Sequence, residues 1–160
     1  MKKVLFIVFI LFVAGCSQEA KQPVKLTENG EIAKHYLKDM GYEVVSFEGE
    51  NTKVFTGAEF TNDKDIWGVQ YTEPDDYMNK EVRVEHFFIK NHPLDQEFDM
   101  GKTNAYVMIQ KKKVIGGWSY PHSKQNDLMG GSYSLDGKTH EEVRGDWQVW
   151  SQEWDRKYQK

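Results

Sequence analysis

The chain has 160 residues, and 25 acidic against 21 basic side chains give it a formal net charge of -4. That length suits one domain of ordinary size and disfavours a large multidomain enzyme. The hydrophobic fraction of 39% and the charged fraction of 29% are typical of a folded, soluble body rather than of a disordered chain. The mild acidity disfavours a nucleic-acid partner, because nucleic-acid binders usually present a basic face.

The N-terminus has the layout of a secretory signal. Lys2 and Lys3 precede an uninterrupted apolar run from Val4 to Ala14. A short positive segment followed by a short apolar core is typical of exported proteins. The run is about half the ~20 residues that a transmembrane helix needs, so a permanent membrane span is disfavoured.

The apolar run ends in Val13-Ala14-Gly15-Cys16, which resembles the lipobox of bacterial lipoproteins, with Val13 in place of the commoner leucine. In that family the cysteine thiol is modified with diacylglycerol, the signal is cleaved before the cysteine, and further acylation, as with palmitate, holds the chain on membrane lipid. The resemblance therefore implies a signal peptide over residues 1–15 and lipidation at Cys16. It places the protein on the extracytoplasmic face of the cell membrane, as in small surface lipoproteins of the Gram-positive type. The alternatives are an ordinary secreted protein or a buried apolar strand.

Cys16 is the single cysteine, which excludes a disulfide within one chain and a multi-cysteine metal site. The segment that follows it, up to Glu28, is polar, contains Pro23 and shows no hydrophobic period. We therefore predict a lipidated, flexible tether over residues 16–28 and a single folded domain over residues 29–160.

The folded part begins with a predicted helix from Glu31 to Met40, with Thr27 or Asn29 as its N-cap and Gly41 as its stop. Its apolar side chains recur at helical spacing. They are Ile32, Ala33, Tyr36, Leu37 and Met40.

About six strands are predicted next, from residues rich in β-formers and bounded by turn signals. They are Tyr42–Phe47, Lys53–Phe60, Ile66–Thr72, Glu81–Ile89, Ala105–Gln110 and Lys113–Tyr120. Within the fourth, Val82 and Val84 alternate with charged residues, which predicts a sheet with one solvated face. In the last, Gly116-Gly117 indicates a bulge or a close approach of another backbone.

The C-terminus is predicted to be helical again. Thr139 to Glu142 fits a capping box, and Gly145 is expected to separate a short turn from a longer helix that starts near Asp146. The order of helix, several strands and helix predicts an α+β fold with an N-terminal helix, a mostly antiparallel sheet and a C-terminal helix.

Motifs that carry chemistry are mostly missing from the sequence. His140 to Arg144 begins like a zinc-protease motif but has Arg144 where the second histidine is required. We therefore expect no catalytic residue, no metal and no cofactor, and predict that the protein is not an enzyme. A small envelope hydrolase or a metal carrier that uses His86, His92 or His122 stays open as an alternative.

Aromatic residues are the most informative remaining feature, because five tryptophans are many for a domain of this size. The simplest interpretation is that they fill the core, since each aromatic ring buries about 150–250 Å². The alternative is that some of them line a groove, and the preferred segment is 116–121. The candidate contact residues are Trp118, Tyr120, Trp67 and Trp150.

These observations predict a non-catalytic, membrane-anchored lipoprotein that binds an envelope partner protein. The alternative function is binding of a small molecule or a glycan. A concave aromatic pocket would favour the alternative, whereas a flat apolar patch would favour a protein partner.

Overall fold

The computed structural model describes residues 25–97, 101–122 and 130–159. The predicted signal peptide, Cys16 and most of the predicted tether lie outside these ranges. The described residues form an α+β fold with an N-terminal helix, a C-terminal helix and an antiparallel sheet of order β1-β2-β3-β4-β5, which confirms the predicted fold class. No helix within these ranges combines the length and the apolar character that crossing a membrane requires.

The helices are α1 (Glu28–Asp39), α2 (Gly57–Asn62), α3 (Lys64–Gly68), α4 (Pro93–Glu97), α5 (His140–Arg144) and α6 (Trp147–Tyr158). The strands are β1 (Glu43–Val54), β2 (Glu81–Lys90), β3 (Thr103–Gln110), β4 (Lys113–Pro121) and β5 (Tyr133–Ser134).

Helix α1 is the predicted first helix, and Thr27 rather than Asn29 is its N-cap. The Thr27 hydroxyl oxygen accepts a hydrogen bond from the Gly30 amide at 3.0 Å, which satisfies one of the free donors of the first turn. Ala33 and Leu37 are fully buried against the sheet. The helix ends before Gly41, whose φ of +91° is the left-handed conformation expected of a helix stop.

The sheet has two differently built faces. The first face packs against α1 through aliphatic and aromatic side chains, namely Phe87, Ile89, Ala105, Val107 and Ile109. The second face packs against α2, α3 and α6, and its buried sheet residues include Val82, Val84, Met108 and Trp118. The core therefore lies on both sides of the sheet.

The prediction that one face of the sheet is solvated is wrong. The charged residues that alternate with Val82 and Val84 lie on the first face, where Glu81 is exposed and Arg83 is half-buried, but Glu85 lies beneath α1. Glu85 is completely buried, and neither of its carboxyl oxygens has a hydrogen-bond partner among the described residues. The alternation of valine with charged residues gives the strand correctly but not the helix that covers it.

Two of the predicted strands are also wrong. Helices α2 and α3 occupy most of the chain from Gly57 to Gly68, where strands were predicted. The preceding strand, β1, is longer than predicted and runs from Glu43 to Val54. A complete capping box, in which Thr56 and Glu59 each bond the other's backbone amide, starts α2. The β-forming rings in this segment are Phe60 and Trp67, and both are buried beneath α6. Tertiary packing therefore overrides their strand propensity.

The C-terminal prediction is confirmed. Thr139 and Glu142 form a complete capping box at the start of α5, and Gly145 with a φ of +82° separates α5 from α6. Helix α6 then places Trp154 and Tyr158 in the core of the second face.

Candidate functional site

Three aromatic side chains stand in one row across the second face of the sheet. His86 on β2, Tyr106 on β3 and Trp118 on β4 are direct cross-strand partners, so their side chains leave the sheet side by side. The rings of His86 and Tyr106 are nearly parallel, with an interplanar angle of 8° and centroids 4.2 Å apart. Those of Tyr106 and Trp118 lie at 5° and 4.9 Å. We call these three residues the ring row.

The ring row has an open place at its β1 end. The cross-strand partner of His86 on β1 is Gly49, which has no side chain to continue the row. A Cβ atom placed on Gly49 would meet no heavy atom of the described residues within 4 Å. The place that a side chain at Gly49 would occupy is therefore open, and both Gly49 and His86 line the space around it. A shift in register between Phe47 and Gly49 sets this position, and Gly49 takes a φ of +134° there.

This space belongs to a concave cavity of about 310 Å³, which we call the aromatic cleft. Its floor is the ring row together with Val84, and its rim is formed by β1. The rim residues are Glu48, Gly49, Glu50, Asn51 and Lys53. A cavity of this size with an aromatic floor and a few polar groups at its rim has the make-up of small-molecule sites.

The charged groups at the rim are unequally neutralised. Lys53 forms an ion pair with Asp63 at 2.7 Å, and Glu50 forms one with Arg83. Glu48 accepts a hydrogen bond from the Ser46 hydroxyl at 2.5 Å but has no cationic partner among the described residues. The cleft therefore presents one uncompensated carboxylate beside the open place.

His86 is held in a fixed orientation and in its neutral form. Its Nε2 lies 2.9 Å from the amide oxygen of Asn104, which accepts only, so Nε2 carries the proton and donates. Burial lowers the pKa of His86, and its hydrogen bond to Asn104 and the charge of Glu48 offset this only in part. The imidazole is therefore uncharged at pH 7, as suits a ring that stacks on Tyr106.

The segment 116–121, which the sequence singles out, is approached closely by the protein's own residues. The side-chain amide of Gln70 donates from Nε2 to the Gly117 carbonyl at 2.8 Å, and its oxygen accepts from the Gly117 amide at 2.8 Å. The Gln70 amide thus replaces a strand at this free edge of β4. A Cβ on Gly116 would lie 2.3 Å from that Gln70 oxygen, and one on Gly117 would lie 2.2 Å from the Tyr106 carbonyl oxygen. Of the two predicted alternatives, the close approach of another backbone is present at Gly117, and the bulge lies just before the two glycines, between Val114 and Gly116.

A second cavity, of about 330 Å³, lies beside this edge of β4, and we call it the edge groove. Its lining includes Tyr36 and Met40 from α1, and Tyr71, Val114, Gly116 and Asp136. Tyr71 is 67% exposed, and its hydroxyl group donates to the Asp136 carboxylate at 3.0 Å. Tyr36 is also exposed.

Two of the four predicted contact residues, Trp118 and Tyr120, lie together at the ring row. Trp118 is buried but lines the aromatic cleft, and Tyr120 packs edge-on to Tyr106 with centroids 6.1 Å apart. The Tyr120 hydroxyl is 2.7 Å from that of Ser132, which in turn donates to Asp65 at 3.0 Å. The hydroxyl of Tyr120 is thus engaged within the protein.

The other two, Trp67 and Trp150, lie apart from the cleft and both contact Trp154. Trp67 is fully buried, so it offers no surface to a ligand or a partner. Trp150 is half-buried and lines a smaller cavity of about 220 Å³ with Arg144 and Lys157. The structure therefore divides the four candidates into one pair at the cleft and one pair in the helical core.

The three histidines of the metal-carrier alternative have separate surroundings. His92 is buried, accepts at Nδ1 from the Leu94 amide at 3.2 Å and donates from Nε2 to the Leu135 carbonyl at 3.0 Å. His86 and His122 both pack against the ring of Phe88, with centroid distances of 5.6 Å and 4.8 Å. Within the described ranges, no three histidine, cysteine or acidic side chains are placed to hold a metal ion.

The sequence analysis did not identify the two residues that define the open place. They are His86, the end member of the ring row, and Gly49, its cross-strand partner on β1. The aromatic character of strands β2 to β4 was visible in the sequence, but which rings stand side by side depends on strand register. Among the described residues, two register shifts in β1 and one in β4 set that register.

No protein-family model, curated protein or solved structure was found to match this chain.

Proposed function

We propose that the protein is a membrane-anchored, non-catalytic lipoprotein of the bacterial cell envelope, and that it binds a small molecule in the aromatic cleft. The lipobox resemblance at Cys16 supports the anchor and the extracytoplasmic location. The cleft supports the ligand.

The observation that carries this proposal is a concave cavity with an aromatic floor, a feature that favours a small-molecule or glycan ligand over a protein partner. The cavity of about 310 Å³ is large enough for a molecule of one or two rings. Its floor is rigid, because the three rings of the row stack on one another and His86 is tied to Asn104.

The ligand proposal is tested by NMR on the ¹⁵N-labelled chain from residue 16, which keeps every described residue and carries Cys16→Ser. A library of soluble fragments that contains aromatic amines, nucleosides and short glycans is added in turn. We expect at least one compound to shift the amide signals of Gly49, Asn51 and Tyr106. A library in which no compound shifts these signals would contradict the proposed function.

The anchor is tested separately, by fractionation of cells that produce the wild-type chain or the Cys16→Ser variant. We expect the wild type in the membrane fraction after a high-salt wash, and the variant in the soluble fraction or medium. The same distribution for both chains would remove the lipid anchor from the proposal and leave the ligand site untouched.

A second candidate function, binding of an envelope protein, is favoured by the edge groove. Tyr36 and Tyr71 are exposed there on either side of a concave surface, and tyrosine is a frequent anchor at protein interfaces. In-cell crosslinking followed by mass spectrometry tests this, with Tyr71→Ala as the variant and Val149→Ala, at another exposed apolar position, as its control. We expect one dominant partner that is lost with Tyr71→Ala only.

A further inference from the structure

The ring row resembles a stack of four places of which the protein fills three. His86, Tyr106 and Trp118 occupy successive cross-strand positions, and Gly49 occupies the next one without a side chain. We infer that the open place beside His86 takes a flat aromatic ring that carries a positive charge or N–H donors. This inference rests on the proposed function and specifies the ligand class of the same cleft.

We expect the ligand ring to be flat because of which ring faces in the ring row remain accessible. Both faces of Tyr106 are covered, one by His86 at 4.2 Å and the other by Trp118 at 4.9 Å. The outer face of His86 is therefore the aromatic face that the row presents toward β1. A planar ring covers such a face completely at stacking distance, whereas a puckered ring makes fewer contacts.

The preference for a positively charged or N–H-donating ligand follows from the charged residues at the rim of the aromatic cleft. Glu48 is exposed, lines the cleft and lacks a cationic partner among the described residues, and its charge offsets a part of the lowering of the His86 pKa by burial. The other two charged rim residues, Glu50 and Lys53, are already neutralised by Arg83 and Asp63. A ligand with a positive charge, or with N–H groups that can donate, compensates Glu48.

Glycans fit the open place less well than flat heterocycles. Sugar rings stack on tryptophan and tyrosine through the broad faces of those rings, but in this row the faces of Tyr106 and one face of Trp118 are covered within the protein. Because Trp118 as a whole is only 5% exposed, the aromatic face that the row offers to a sugar is the smaller face of His86.

A matched pair of probes tests the inference by calorimetric titration. Tryptamine has a flat indole and an ammonium group, and 2-cyclohexylethylamine has a puckered ring and the same ammonium group. We expect tryptamine to bind at least about threefold more tightly, which corresponds to one aromatic stacking contact.

The variants are His86→Leu, which keeps apolar volume but removes the flat face, and Glu48→Gln, which removes the charge. His35→Leu and Glu43→Gln are their controls, because His35 and Glu43 are exposed residues outside the cleft. We expect the preference for tryptamine to disappear in His86→Leu, and the affinity for both amines to fall about threefold in Glu48→Gln. The controls should bind like the wild type, and unfolding curves establish that each variant is folded.

Equal binding of the two amines by the wild type, no binding of tryptamine, or an unchanged preference in His86→Leu would overturn the inference. In these cases a library compound that shifts Gly49 and Tyr106 would still support the proposed function. A library without any cleft binder would contradict the proposed function itself, so the two failures are distinguishable.

Discussion

The two faces of the sheet solve the same packing problem with different side chains. The first face is covered by one helix, α1, and its contacts are largely aliphatic, with Ala33 and Leu37 of the helix fully buried. The second face is largely aromatic, and the three helices α2, α3 and α6 pack on only part of this face. The first face is therefore specialised for stability, whereas the second face combines a core with a cleft.

Each face also carries one feature that does not serve packing. On the first face it is Glu85, a buried carboxyl group without a hydrogen-bond partner among the described residues. On the second face it is the open place between His86 and Gly49. The following experiments separate packing from these two features, in order of decreasing effect.

The largest effect is expected at the centre of the second face, for Trp67→Ala. Trp67 is fully buried and packs against the rings of Phe55, Phe60 and Trp154. We expect the free energy of unfolding to fall by about 3–5 kcal/mol, because the substitution leaves a large cavity. Urea denaturation measures it, with the exposed Val149→Ala as control; a loss below about 1 kcal/mol would show that this core is not tightly packed.

On the first face, Leu37→Ala is expected to cost about 2–4 kcal/mol, since Leu37 is fully buried between α1 and the sheet. The same denaturation experiment measures this value. Lys38→Ala on the exposed side of α1 is the control and should change stability by less than about 0.5 kcal/mol. If Leu37→Ala lowered the free energy of unfolding as little as Lys38→Ala, the packing of α1 on the sheet would not stabilise the fold.

Glu85→Gln is expected to change the pH dependence of stability. Burial, and then the charge of its cross-strand neighbour Glu50, raise the pKa of Glu85 to about 7. The folded state therefore binds this proton more tightly than the unfolded state, so the contribution of Glu85 is fully present below about pH 4.5 and is lost as the pH rises to about 7. We expect the variant to gain about 2–3 kcal/mol over the wild type between pH 4.5 and pH 8.

The effect of Glu85→Gln is measured as the difference in the free energy of unfolding between the variant and the wild type at each pH. Burial lowers the pKa of both His86 and His92. These two histidines therefore lower the stability of the fold as the pH drops below about 6.5, which is opposite to the pH dependence that Glu85 causes. Both histidines are present in the wild type and in the variant, so their contribution cancels. A difference that is constant with pH would mean that Glu85 is charged in the folded protein.

The smallest effect on stability is expected for His86→Leu, at the open end of the ring row. The leucine keeps apolar contact with Tyr106, and we expect a loss of about 1 kcal/mol or less, from stacking and the bond to Asn104. Urea denaturation measures this. A loss as large as that of Trp67→Ala would instead make His86 a core residue.

The parts of the fold that the sequence predicted correctly are those with local signals. Helix α1, strands β2 to β4 and the break at Gly145 each follow from hydrophobic period, turn residues or a capping box. The wrong strand at 53–60 contains such a signal too, since Thr56 and Glu59 form a capping box. In both wrong strands, burial of Phe60 and Trp67 among the helices overrides the β-propensity of phenylalanine and tryptophan.

The candidate site was only half accessible to sequence reasoning. Trp118 and Tyr120 were named, and both lie at the ring row. Their neighbours His86 and Gly49 come from other strands, and bulges set the register that aligns them. A register of this kind depends on tertiary packing, so no pattern within one strand predicts it.

The most direct test of the open place is the position of a bound flat ring relative to Gly49. Tryptamine is titrated into the ¹⁵N-labelled chain, and its aromatic protons are tested for nuclear Overhauser contacts to the Gly49 amide and the His86 ring. We expect such contacts together with an upfield shift of the Gly49 amide signal. Contacts confined to Tyr71 and the edge groove, or no contacts at all, would contradict it.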